Sequence, residues 1–209
     1  TKNGLFKVAD GIWQVRGFDV STVTFVDAGA GWIILDPLTC TEVAKAALDL
    51  VTEHLGEKPV LAVIHSHSHM DHYGGVAGIV SREDVAAGKV RIIAPQGFLE
   101  HAVSENIIAG PAMGRRAVFQ FGYTLPRGPA GEMTSGLGPG ISKGTMSMLA
   151  PTDLITKTGQ EITIGNTRMV FQLTPGTEAP AEMNVYFPDR RALFMAENAN
   201  LTMHNLLPA

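Results

Sequence analysis

The stretch His65-Ser66-His67-Ser68-His69-Met70-Asp71-His72 holds four of the chain's seven histidines and one aspartate, and Tyr73-Gly74-Gly75 follows at once. Imidazoles crowded this closely repel when protonated and are costly to desolvate when neutral. A transition metal removes both difficulties by taking the lone pairs of neutral imidazoles and the charge of a carboxylate. In locally extended backbone, residues two apart point the same way, which puts His67, His69 and Asp71 in phase. His72 falls out of phase, as a ligand of a second ion would, so one loop serving two metals is the economical reading. His65 is also in phase, and His65/His67 stands as the alternative pair. His67/His69 is preferred because only that choice gives His-x-His-x-Asp-His running directly into Gly-Gly.

The elements around this stretch must deliver it to one place. Val60–Ile64 is a fully apolar strand, so the cluster sits on a strand-to-helix loop at a sheet's edge. Upstream, Phe6–Val8 and Ile12–Val15 flank an Asp10-Gly11 hairpin turn. Val20–Val26 alternates as a strand, and Trp32–Leu35 reads as a buried strand ending at Asp36. A helix is expected from Thr41, with Thr41 as its cap, to near Gly56. Gly74–Val80 should open another helix, its two glycines permitting close approach. Val90–Ala94 is a strand, Phe98–Ile108 a helix, and Arg115-Arg116 lie on a second helical stretch. Residues 122–147 form a long Gly/Pro/Ser/Met loop, of a kind that is often functional. The β pattern then returns in an Ile162–Thr167 hairpin and in strands Met169–Leu173, Asn184–Phe187 and Ala192–Met195. This order predicts an α/β fold in which two β-rich halves pack as a two-sheet sandwich.

With 209 residues, 45% apolar and 17% charged, the chain has the balance of one globular unit. A net charge of −4 leaves no basic footprint, so nucleic acid is not an expected partner. No apolar run is long enough to span a bilayer. The lone Cys40 excludes an intrachain disulfide and reads as a buried, inert thiol. The chain opens at Thr1 and stops at Ala209 with no closing element, so it is expected to be part of a longer protein.

His67-Ser68-His69-Met70-Asp71-His72 resembles the signature of the metallo-β-lactamase superfamily, an αββα sandwich with zinc between its sheets. Asp36 matches that superfamily's usual Asp, which buttresses the metal loop; a plain strand-end turn is the alternative. Thr174-Pro175-Gly176-Thr177-Glu178 resembles its Thr-Pro-Gly-His turn, without the histidine. Leu193-Phe194-Met195-Ala196-Glu197 resembles its Leu-Phe-x-Gly-Asp strand, with Glu for the bridging Asp. These departures are similar to one branch, the zinc-dependent (type III) alkylsulfatases. That branch also shares the segments Asp36–Cys40, His67–Val76, Ser104–Asn106, Thr177–Asn184 and Met195–Asn198.

The resemblance implies that residues 1–209 are a partial metallo-β-lactamase-like catalytic domain, incomplete on its C-terminal side. It implies two zinc ions, one on His67, His69 and Glu178 and the other on Asp71, His72 and Glu197. Glu182 is the competitor to Glu178. Asn205 would contact the sulfate, and a further metal-binding histidine and the sulfate-binding arginine and histidine are expected beyond Ala209. The implied reaction is hydrolysis of alkyl sulfate esters to alcohol and inorganic sulfate. The alternatives are another binuclear zinc hydrolase, for a phosphoester, lactone or thioester, or an inactive fragment lacking part of its site. The expected partner is a small sulfate ester with an apolar tail, for which Met113, Met133, Met146, Met148, Phe119 and Phe121 could form a groove; core packing is the other explanation of these residues. Arg115-Arg116 could steer the anionic head or lie on a solvated face. A homodimer through further domains and a periplasmic or secreted location are implied by the resemblance alone.

Overall fold

The structure, a computed structural model, describes residues 2–200. Its first sheet has seven strands in sequence order. They are β1 (Gly4–Ala9), β2 (Ile12–Arg16), β3 (Val23–Asp27), β4 (Trp32–Leu35), β5 (Val60–Ile64), β6 (Arg91–Pro95) and β7 (Asp153–Ile155). The first four pair antiparallel and β4 to β7 pair parallel. The second sheet is antiparallel, in the order β11 (Ala192–Phe194), β10 (Met183–Phe187), β9 (Thr167–Leu173) and β8 (Glu161–Ile164).

Alternation along the central strands sorts their side chains onto two faces. Trp32 and Ile34 of β4 and Val63 of β5 face helix α1 (Thr41–Leu55), where they pack with Ala44, Ala47 and Val51. Ile33 and Leu35, with Ala62 and Ile64, face the second sheet and meet Met169, Phe171, Met183 and Val185. A strand with apolar residues at every position is thereby explained, since both of its faces are buried. Each of these fully covered side chains contributes about 1.5–3 kcal/mol of burial. The sequence expectation of a two-sheet α/β sandwich agrees with this architecture.

Three local expectations are corrected. Thr41 does not cap α1: Cys40 occupies the cap position without a side-chain bond, and the Thr41 hydroxyl is buried with no hydrogen-bond partner. The Val20–Val26 strand begins only at Val23, because Asp19 holds the preceding segment by other bonds. Residues 74–80 form no α-helix but short 3-10 turns at Met70–His72 and Val76–Gly78. The physical reason is tight apposition to the β4 exit. A Cβ on Gly74 would sit 2.2 Å from the Thr39 carbonyl, and one on Gly75 2.1 Å from that of Pro37. Gly75 N also donates to Leu38 O at 2.9 Å. The glycines therefore serve close approach rather than helix initiation.

The remaining helices are α2 (Arg82–Ala86), α3 (Phe98–Val103), a π-helical turn at Ser104–Ile108, and α4 (Gly110–Phe121). Between α4 and β7 the chain runs without strand or helix. No helix of the described residues is long and apolar enough to cross a membrane.

Candidate metal centre

Asp36 leaves β4 with φ at 55°, an uncommon conformation for a residue with a Cβ. Its buried carboxylate organises the loop after β5. Oδ1 accepts from Ser66 N at 2.8 Å, and Oδ2 accepts from Ser66 Oγ at 2.6 Å and His72 Nδ1 at 2.8 Å. These bonds assign the imidazole protons, because a carboxylate only accepts. His72 therefore carries its proton on Nδ1. Ser66 spends its own proton on Asp36, so His67 Nδ1, 2.8 Å from Ser66 Oγ, must donate to that oxygen. Nε2 is thereby the nitrogen that His67 and His72 can offer to a ligand, and both atoms are buried without a hydrogen-bond partner.

Carboxylates converge on those nitrogens. Glu197 Oε2 lies 3.5 Å from His67 Nε2 and 3.4 Å from His72 Nε2, and Asp71 Oδ2 is 3.2 Å from His72 Nε2. Two sets of donor atoms, His67/His69/Glu197 and Asp71/His72/Glu197, each lie mutually within 4.8 Å, with Glu197 in both. A third set, Asp36/His67/His72, meets the same distance, although Asp36 is already occupied by its three donors. Glu178 reaches the cluster through His69, at 3.5 Å from Nδ1.

The electrostatics call for a cation. Burial opposes charge on His72, yet Asp71 and Asp36 raise its proton affinity well above the ordinary histidine range. Burial likewise opposes charge on Glu197, but His67 and His72 hold its carboxyl far below the usual carboxylate range. His69 is pushed down to about 4 by burial and then by His67. Imidazole nitrogens and carboxylates at ligand spacing fit a borderline-soft divalent metal, which would take the place of the proton on His72.

His65 is the one histidine of the stretch that turns away. It stacks on Phe98 at 5.1 Å between ring centroids and meets Tyr73 edge-on, with neither ring nitrogen hydrogen-bonded. His67 and His69 lie together instead, their rings 4.7 Å apart. The chain stays paired with the second sheet at Ser66 and His67 and bends at Ser68. Asn205 lies outside the described residues.

Beside the centre opens a cavity of about 470 Å³, bounded by His69, Asp71 and Glu197 at one end. Met113, Ala117 and Phe121, one face of α4, line its wall with Leu137, Ile141 and Met146 of the long loop, and Glu105, Asn106, Ser142 and Lys143 add polar groups. Of the six residues suggested for an apolar groove, Met113, Met146 and Phe121 line this cavity. Met148 instead packs near Phe98, while Phe119 and Met133 are exposed. Arg115 and Arg116 are exposed on α4 and do not line it. Cys40 is buried, with Sγ 3.2 Å from Ser142 Oγ.

Two contributors carried no assigned role in the sequence. Glu105 and Asn106, on the π-helical turn, bind the middle of the histidine loop: Ser68 Oγ donates to Glu105 at 2.7 Å, and Asn106 Nδ2 donates to Ser68 O at 2.9 Å. The Ser104–Asn106 motif was the available signal, but no spacing rule links it to Ser68. Asp19 is the other, a buried carboxylate tying the long loop to the β4 exit through Ser142 and Thr39.

Comparison with known proteins follows this geometry. Residues 16–196 match the metallo-beta-lactamase superfamily. The chain is 51% identical over 203 residues to a linear primary-alkylsulfatase of Pseudomonas sp, covering 97% of this chain and 30% of that protein. It is 48% identical to the alkyl/aryl-sulfatase BDS1 of Saccharomyces cerevisiae, over 98% of this chain and 32% of the relative. A solved double mutant of the sec-alkyl sulfatase PisA1 superposes with a TM-score of 0.93 at 47% identity, covering 99% of this chain and 33% of that one. A B3 metallo-beta-lactamase with an active site glutamic acid shares the fold alone, at 20% identity and a TM-score of 0.53. The chain thus spans about a third of the length of these alkylsulfatase relatives. Signature, sandwich and candidate metal cluster agree, and the chain belongs to the metallo-β-lactamase superfamily.

Proposed function

We propose that this chain is the metal-binding part of an enzyme that hydrolyses alkyl sulfate esters, R–O–SO₃⁻ and water giving R–OH, sulfate and a proton. The observation that carries the reading is the junction of two donor sets sharing Glu197 with a cavity whose walls are mainly apolar. The alkylsulfatase names of relatives near 50% identity support the choice of ester. In this reading two zinc ions would be held, one by His67, His69 and Glu178 and one by Asp71, His72 and Glu197, the last of which belongs to both donor sets. When bound, zinc supplies Lewis acidity that makes a water nucleophilic at neutral pH.

The chain's own residues do the rest. Asp36, through Ser66 and directly, holds His67 and His72 in the tautomer that offers Nε2. The α4 face and the long loop receive the alkyl tail, where unbranched Met113 and Met146 adapt to its course. Carboxylates at the cavity's end cannot bind a sulfonate by themselves. Asn205 and the cationic groups expected after Ala209 are proposed for that part, as is pairing of two copies through further domains.

An ester panel on the full-length protein tests the proposal. Dodecyl sulfate should be turned over with a kcat/KM well above those for alkyl phosphate, lactone and thioester substrates. Preference for any of the other three would contradict it.

A further inference from the structure

Glu182 presents a carboxylate buried to 1% exposure in the turn between β9 and β10, next to the metal cluster but in neither of its two shared donor sets. Its Oε2 accepts from two successive backbone amides, Glu178 N at 2.7 Å and Ala179 N at 3.0 Å. Thr177 Oγ1 lies 2.7 Å from the same oxygen and 2.7 Å from Thr174 O, sharing its single proton between them. The main chain of Glu182 is held as well: its carbonyl accepts from Thr174 N at 2.9 Å, and it forms an antiparallel bridge with His67. One residue therefore ties the loop that carries Glu178 to the loop that carries the histidines.

We infer that Glu182 is a positioning residue that holds Glu178 against His69 by capturing the amides of its turn. This rests on the reading of the cluster as a metal centre. Without the carboxylate, two adjacent amides, that of Ala179 buried and that of Glu178 partly so, lose their acceptor and the turn must rearrange to satisfy them. Such a rearrangement moves Glu178, whose carboxylate needs its backbone fixed to stay beside His69. The competing role, in which Glu182 itself binds metal, would use Oε1, which is buried without a hydrogen-bond partner.

Glutamine separates the two roles, because its amide oxygen can accept the same N–H bonds while offering no charged ligand. The full-length protein, stripped of metal, is titrated with Co(II) alone while its visible spectrum and its affinity against a competing chelator are recorded. Glu182→Ala should weaken one of two Co(II) sites by about 10–100-fold. Glu182→Gln should restore affinity and leave the Co(II) absorption band where the wild type has it. Loss of the site in Glu182→Gln, or a shifted band, would overturn the inference, as would wild-type affinity in Glu182→Ala. Where the alanine variant does not fold, the glutamine spectrum alone decides. A wild type that binds no Co(II) would overturn the metal reading and this inference with it. Failure on dodecyl sulfate, with Co(II) bound as expected, would count against the substrate alone.

Discussion

Four histidines in eight residues meet two fates, and a single carboxylate decides which. Asp36 captures Ser66 and His72, His67, His69 and His72 gather at the cluster, and His65 stays in the apolar core. Burial pushes His65 down to about 4, against about 6.5 for an unfolded chain. The folded state keeps it neutral, so between these two values the unfolded state binds more protons and stability falls as pH falls. The full contribution is present above about pH 6.5. Lowering the pH from 7 to 5 should cost the metal-free wild type about 2 kcal/mol more than His65→Leu, read by denaturant unfolding at each pH. Equal losses in the two proteins would show that His65 does not titrate as its burial requires. The chemistry of the stretch was legible from residue type and density. The role of Asp36 was legible only through the family resemblance, since a carboxylate thirty positions away leaves no local trace; alternation alone put His65 in the candidate set, whereas in the fold it stacks on Phe98.

At the scale of elements, strands and the sandwich could be read from apolar runs, because burial on both faces leaves an unbroken hydrophobic signature. The turns around the centre could not, because their form is set by contacts distant in sequence. Gly74-Gly75 looked like a helix start and is instead pressed against the β4 exit. The long loop was recognised as irregular, but not how it is fixed. Asp19, wholly buried, accepts from Val20 N at 2.8 Å, Thr39 N at 3.0 Å, Ser142 N at 2.8 Å and Ser142 Oγ at 2.6 Å. Loop and β4 exit thus share one anchor, and the cavity wall at Ile141 and Met146 depends on it. Asp19→Ala strands three backbone donors and should cost on the order of 3–5 kcal/mol, visible as a lower melting temperature and faster proteolysis within residues 128–144. Ser142→Ala keeps its backbone bond and should cost about 1 kcal/mol. A loop equally protected in all three proteins would refute the anchor.

At the scale of the molecule, the centre lies where the two sheets end together. The first sheet supplies Asp36 after β4 and the histidine loop after β5; the second supplies Glu178 after β9 and Glu197 after β11. Neither sheet holds by itself either of the two donor sets that share Glu197, so sandwich packing through Ile33, Leu35, Met183 and Val185 is what brings those sets together. Binding a metal to the folded state alone would in turn stabilise the packing by mass action. If this shared end is a two-metal hydrolytic centre, as proposed, its activity must follow its metal content. The full-length protein is stripped of metal, zinc is added in measured steps, and sulfate released from dodecyl sulfate is followed. No release is expected without metal, and the rise should saturate at two equivalents per chain. Release that is indifferent to metal, or complete at one equivalent, would contradict the proposal.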